Sequence, residues 1–370
     1  MRPVAPSGLA RLGRRVLRDA GVHPVREMGA PRRCGNSVRG RLGAHCEEDG
    51  GRGTTMARVM IILVLVALLA AAGCGGVPPR PAAPAQVSPT GGCATRERLE
   101  PGRHRLSFGG LTRRYLLSVP AGGGPHPVVL DLHGLGSTAA EQSAYSRLAE
   151  QGSRRGYVVA TPQAAEGRIG WALPGMGGPD DAGFLAALLD RLEQGLCVDR
   201  RREFAAGMSY GAGLATALVC ALDGRLAGVA AVAGLNIVRP CPGAYPTTIV
   251  AFHGTADRIV PYDGGHPFRD ATGDVRALAD LVVLAPVESS ADGWARTLGC
   301  TGRSTTGLGE RVRLRGWKSC PGRATLRLYT VGGGGHTWPG PIEVPRLGDT
   351  VRDLDATAVI LDTFDGAPSR

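Results

Sequence analysis

Residues 202–213, REFAAGMSYGAG, decide the fold. Arg202–Met208 is a short apolar run of the kind that forms a buried strand, and Tyr210–Leu222, rich in Ala and Leu, reads as a helix. Between them, Gly207-Met208-Ser209-Tyr210-Gly211 has the form G-x-S-x-G. Alone, that match is weak in a chain with 57 glycines. Set between a strand and a helix, it can form the sharp turn that lifts a Ser hydroxyl above a sheet. The glycines then sit where flanking side chains would collide. The bland alternative is a serine that only caps the helix.

The same alternation continues on both sides. Strands are expected at 113–120, 126–133, 156–162, 226–233, 247–253 and 324–331. Helices are expected from a Ser137 cap through about Arg154, over Asp181–Gln194 and over Asp353–Phe364. Asp180 and Asp181 suit the positive N-terminal end of the second of these. Strands alternating with helices over residues 96–370 predict a single α/β catalytic domain on a doubly wound, mostly parallel sheet. Such sheets place their sites at the carboxyl ends of the strands.

That rule sorts the polar residues. A serine nucleophile needs a base, and the base needs an acid to orient it. In this fold class the chain order is Ser, then Asp or Glu, then His. Asp257 follows the strand that ends near His253, and His336 follows the last strand behind Gly332–Gly335. Asp263 is the nearest competitor for the acid. His253 reads as a structural histidine near the acid loop, and His266 lacks a strand end. The developing oxyanion needs two donors. The Tyr210 amide is one candidate and the Leu135 amide, in the loop opened by His133-Gly134, is the other. His133 is expected to shape that loop rather than move protons. Trp171 and Trp338 fall in the predicted site loops and are expected to line an apolar substrate cleft, with core packing as the alternative.

Five segments taken together carry a resemblance: LDLHGLGST (130–138), DDAGFLAALLD (180–190), CVDRRREFAAGMSYGAG (197–213), HGTADRIVPYDGG (253–265) and GGGGHTWPG (332–340). In this order they resemble the secreted polyhydroxybutyrate depolymerase-like and feruloyl esterases of the α/β-hydrolase superfamily. The resemblance spans about residues 100–345. It implies the α/β-hydrolase fold, with Ser209 as nucleophile, Asp257 as acid and His336 as base, and with Trp338 and the Trp171 loop at the substrate. Tyr210 departs from the Asn common in that family.

Upstream of the domain the chain changes character. Residues 56–73, MARVMIILVLVALLAAAG, have the basic start, short apolar run and small-residue end of a signal peptide. Cys74 follows as the expected site of lipidation. Residues 1–55 carry eleven Arg against five acidic residues and no apolar periodicity, and are expected to be a disordered extension or a mis-assigned start. Residues 74–95, rich in Pro, Ala and Gly, read as a tether. The net charge of +11 is therefore about half upstream. What remains forms no dense basic stripe with aromatic residues, which argues against nucleic-acid binding.

Six cysteines follow Cys74, an even number suited to an oxidising compartment and to fifteen possible pairings. Short loops favour Cys220 with Cys241 and Cys300 with Cys320, leaving Cys93 with Cys197. No C-x-x-C spacing suggests a metal site.

The expected activity is cofactor-free hydrolysis of small or oligomeric carboxylic esters outside the cytoplasm. The chain is expected to act as a monomer that touches the membrane only through its lipid. An envelope acyltransferase using the same triad, or a lipoprotein on a catalytically silent hydrolase scaffold, are the alternatives.

Overall fold

In the computed structural model, which describes residues 89–95 and 98–370, the continuous apolar runs become strands buried on both faces. Every residue of β4 (Val158–Pro162), β6 (Gly228–Val232) and β7 (Thr248–Gly254) is buried. With β3 (His126–Leu132), β5 (Val198–Met208) and β10 (Leu326–Val331) they form a six-stranded parallel centre in the order β4-β3-β5-β6-β7-β10. Burial on both faces is what a parallel sheet covered by crossover helices demands.

Antiparallel strands widen the sheet to ten. β1 (Gly102–Phe108) and β2 (Leu111–Ser118) extend one edge, and β8 (Gly302–Gly307) and β9 (Val312–Lys318) the other. Of these only β2 was expected. β1 and β8 alternate exposed Arg, Ser and Thr with a few half-buried residues, and β9 sets Arg313 and Arg315 between a buried Val312 and Trp317. That is the composition of a charged edge, which resists pairing with another chain but reads poorly as a strand.

Helices cover both faces. On one lie α3 (Asp181–Gly195), α4 (Tyr210–Ala221) and α6 (Val287–Thr297), whose Phe184, Leu188, Leu214, Leu218 and Trp294 share one buried cluster with Leu130, Leu132, Ala231, Ala251 and Leu328 of the sheet. On the other, α1 (Ala139–Ser146), α2 (Leu148–Arg154) and α7 (Ala356–Asp365) bring Leu148, Ile360, Leu361 and Phe364 onto Val129, Val159 and Phe204. A short α5 (Gly273–Ala279) lies in the β7–α6 connection. The single helix expected over 137–154 is broken at Arg147, which adopts a left-handed φ of 55°. Its cap is Thr138 rather than Ser137, in a reciprocal capping box with Glu141.

All three expected disulfides form: Cys93–Cys197, Cys220–Cys241 and Cys300–Cys320. The first fastens residues 89–95 to the start of β5. Thr90 adds to this by bonding the Leu196 carbonyl and the Val198 amide through its side chain. That stretch, expected to be tether, is part of the domain. The extension, the signal segment, Cys74 and the tether up to residue 88 lie outside the described residues.

Asp180 caps α3 by accepting the Gly183 amide, while Asp181 turns inward. Its carboxylate meets Arg113 of β2 at 2.6 Å, both side chains being 1% exposed. The guanidinium lies 3.9 Å over the Phe184 ring. Removing one partner of such a pair leaves an uncompensated buried charge. Arg113→Ala is therefore expected to cost about 3–5 kcal/mol in denaturant titration. Arg114→Ala, which breaks the exposed pair with Glu166, is expected to cost under about 1 kcal/mol.

Candidate active site

β5 ends at Met208, and α4 begins at Tyr210; Ser209 between them holds φ 55°, ψ −122°. A non-glycine residue held there is strained, and only its surroundings can keep it there. Three glycines let those surroundings close in. A Cβ on Gly207 would stand 2.4 Å from the Gly211 carbonyl oxygen, and one on Gly211 would stand 2.2 Å from that of Leu132. One on Gly234, after β6, would stand 2.3 Å from the Ser209 carbonyl oxygen. The Ser209 amide donates to Val232 at 2.8 Å and its carbonyl accepts from Gly213 at 3.0 Å. The turn is thus locked to β6 and to its own helix while the side chain stays half-exposed.

Asp257 lies just past β7. Its Oδ1 accepts the amides of Ile259 and Val260 at 2.9 and 2.8 Å, and its Oδ2 accepts His336 Nδ1–H at 2.8 Å. His253 Nε2 stands 3.3 Å from the same Oδ2 and donates to the Val260 carbonyl. Burial alone would push this carboxyl up. The charge of His336 and the hydrogen bonds from His253 and His336 outweigh burial and hold it well below the usual carboxylate range. With Nδ1 committed as the donor to Asp257, the His336 ring presents Nε2 as its acceptor. The competitor Asp263 is exposed on the surface, and His266 caps the Val282 carbonyl.

His336 comes back over the sheet on Gly332–Gly335, and the glycines are explained by what they touch. A Cβ on Gly254 would stand 2.1 Å from the Gly334 carbonyl oxygen, and one on Gly335 would stand 2.3 Å from that of Leu347. The loop threads between the end of β7 and residues 347–349, bonded through the amides of Gly335 to Asp349 and of His336 to Leu347. The structure thus joins His336 to Asp257. Among the described residues no side chain hydrogen-bonds the Ser209 hydroxyl.

The loop after β3 lies against Ser209: a Cβ on Gly134 would stand 3.3 Å from the Ser209 Cβ. The Leu135 amide has no acceptor among the described residues, and the Tyr210 amide heads α4, where the first turn leaves its donors free. His133 is buried, and burial pushes its pKa down, so the ring is neutral. Its Nδ1 donates to the Gly134 carbonyl at 2.8 Å and its Nε2 accepts the Ala164 amide at 3.1 Å. It shapes the loop, as the sequence suggested.

The two tryptophans correct an expectation. Both are 2% exposed and offer no face to a ligand. Trp171 donates to the His133 carbonyl at 2.8 Å and lies 4.7 Å from its ring, bracing the turn from below. Trp338 donates to Thr357 and packs in the core beneath α1 and α7. An indole offers both a large apolar body and one donor, and here the core uses both. The exposed apolar groups by the turn are instead Leu135, Ile169 and Met176. Gly170 gives a backbone floor there, since a Cβ on it would stand 2.8 Å from Leu135 and 3.4 Å from Tyr210. Sequence reading missed Ile169 and Met176 because isolated apolar residues in a Gly-rich loop have no periodicity.

A strained serine at a strand-to-helix turn, with an Asp–His pair on the same carboxyl edge of a doubly wound sheet, defines the α/β-hydrolase fold. Known proteins agree. Feruloyl esterase B of Piromyces equi is 27% identical over 225 residues, 57% of this chain and 39% of that one. The esterase NocK of Nocardia uniformis is 29% identical over 342 residues, 81% of this chain and 96% of that one. The solved acetyl xylan esterase from Aspergillus awamori superposes with a TM-score of 0.50 at 14% identity, over 72% of this chain and 100% of its own. No family model matches the chain. The matched region spans about two fifths of feruloyl esterase B and 64% of several fungal feruloyl esterases C. The chain thus has the α/β-hydrolase fold and is similar in sequence to feruloyl esterases.

The depressed Asp257 carboxyl has a measurable consequence. A group whose pKa is lowered on folding stabilises the native state above its unfolded value of about 4, and that contribution is lost as pH falls below it. Acid unfolding followed from pH 6 to pH 2 should show this limb, and Asp257→Asn should flatten it. Gly211→Ala, which drives a Cβ into the Leu132 backbone, should cost on the order of 3 kcal/mol in thermal or chemical unfolding.

Proposed function

We propose that the protein is a carboxylic-ester hydrolase in which Ser209 is the nucleophile, His336 the general base and Asp257 its orienting acid. The observation that carries this reading is the buried 2.8 Å bond from His336 to Asp257, on the same sheet edge as the strained Ser209 turn. Ser209 Oγ attacks the ester carbonyl as its proton passes to His336 Nε2, and Asp257 stabilises the imidazolium. The oxyanion is received by the amides of Tyr210 and Leu135. Collapse expels the alcohol, protonated by His336, and leaves an acyl group on Ser209. Water, deprotonated by His336, then releases the acid and restores the serine.

The substrates are small or oligomeric esters with an apolar or aromatic acyl group. Leu135, Ile169 and Met176 support this, since they expose apolar surface around Tyr210, whose hydroxyl lies 3.8 Å from the Met176 sulfur. The names of the relatives, feruloyl and acetyl xylan esterases, favour plant-wall esters within this class. The three disulfides favour work outside the cytoplasm. Export through the 56–73 segment and lipidation at Cys74 belong to the same proposal.

Ser209→Ala is expected to lower kcat/KM for p-nitrophenyl acetate at least about a thousandfold without changing the melting temperature appreciably. Hydrolysis at the wild-type rate by a folded Ser209→Ala protein would contradict the assignment. Methyl ferulate should be cleaved faster than hydroxybutyrate oligomers by the same preparation.

A further inference from the structure

Ser209 and Leu135 sit at the ends of β5 and β3 and take their positions from the sheet directly. His336 does not. It stands five residues beyond Val331, behind four glycines, on backbone with little stiffness of its own. Asp257 and the bonds to residues 347–349 fix part of its position, and the hydrogen bonds of Trp338, two residues on, show a further anchor.

The Trp338 amide donates to the Tyr145 hydroxyl at 3.0 Å, and its indole Nε1–H donates to Thr357 Oγ1 at 2.9 Å. Thr357 Oγ1 in turn donates to the Ser146 carbonyl. Tyr145 and Ser146 close helix α1, so the base's loop hangs on that helix. Helix α1 is referred back to the sheet by one carboxylate. Gln142 Nε2 and Ser146 Oγ donate to the two oxygens of Asp131 at 2.8 and 2.7 Å. Gln142, Tyr145 and Ser146 are spaced i, i+3 and i+4, which puts them on one face of the helix.

Asp131 lies on β3, paired with Ala206 of β5, three residues before Gly134 and with its partner three residues before Ser209. Its side chain is fully buried. Burial pushes its carboxyl up to about 7, against the downward pull of the Ser146 and Gln142 hydrogen bonds. An apolar residue would fill a β-strand position facing α1 at lower cost in desolvation. A buried carboxylate does something an apolar side chain cannot: it fixes both the height and the rotation of the helix through two directed bonds.

We propose that Asp131 is a positioning residue: through Gln142 and Ser146 it sets helix α1, and through Tyr145 and Thr357 the His336 loop, relative to Ser209 and the Gly134–Leu135 turn. It touches no substrate, and the proposal rests on the esterase reading given above. Losing it lets the base drift while the nucleophile and the oxyanion donors stay in place. The chemical step suffers and substrate binding does not. A misplacement of about 1 Å at this distance from the chemistry can cost about a hundredfold.

The test measures kcat and KM for p-nitrophenyl acetate, thermal unfolding, and the downfield proton NMR signal of the His336–Asp257 hydrogen bond in Asp131→Ala, Asp131→Asn and Ser146→Ala. A folded Asp131→Ala protein is expected to lose kcat about tenfold to a hundredfold with KM within about twofold, and its downfield proton should shift or broaden. Asp131→Asn, which keeps one acceptor and the shape, should recover to within about threefold of wild type. If Asp131→Ala does not fold, Ser146→Ala decides, with an expected loss in kcat of about threefold to tenfold and the same spectral change. Wild-type kcat and an unmoved downfield proton in the folded variants would overturn the proposal. A failure of the esterase reading would look different, as a wild-type protein that neither hydrolyses the ester nor reacts with a fluorophosphonate, while the downfield proton still reports where His336 sits.

Discussion

The backbone at Ser209 occupies a conformation that a serine does not choose for itself, and much of the structure can be understood as what holds it there. Gly207 and Gly211 let β5 and α4 meet at the turn, and Gly234 lets β6 press against its carbonyl. The Val232 carbonyl takes the Ser209 amide, so the strained residue has its backbone groups satisfied. Because α4 starts at once, its free amides and the positive end of its dipole face the point where negative charge would develop. The strained serine and the free amides beside it arise from one turn, and that turn depends on the absence of three side chains.

The rest of the site is brought to this point by the parallel order of β3, β5, β6, β7 and β10, which sends every following loop to the same edge. Neighbouring strands are about 4.8 Å apart, so loops from strands three places apart must fold back to meet. The Gly332–Gly335 run does so by lying on Gly254 at a distance no Cβ would allow. Polar groups buried behind the loops then set their positions: His133 and Trp171 under the Gly134–Leu135 turn, Asp181 on the Ala172 amide, and Asp131 under α1. Each is costly to bury alone and each has found a directed partner.

The parallel centre was legible in the sequence because its strands hold short, mostly apolar stretches such as Val128–Leu130, Val158–Ala160, Phe204–Ala206 and Val229–Val232. Ser209, Asp257 and His336 were legible through chain order and strand ends, and the joining of His336 to Asp257 rather than Asp263 is what the structure adds. The far edge was not legible, since β8 is almost wholly polar and β9 breaks its apolar positions with Arg313, Arg315 and Gly316. Neither was the break at Arg147. The surrounding residues favour helix, and the turn follows from Ser146 being drawn to Asp131 while also accepting the Leu148 amide. Trp171 and Trp338 mislead for a related reason. A rare aromatic in a site loop can line a cleft or brace it, and the choice lies in distant partners such as His133 and Thr357.

The central claim is that an acyl group passes through Ser209. Rapid quenching of the wild-type protein with p-nitrophenyl acetate, followed by peptide mass spectrometry, tests it directly. The account predicts one acetyl group on the peptide containing Ser209 during turnover. Turnover with no acyl adduct, or with the adduct on another residue, would contradict it.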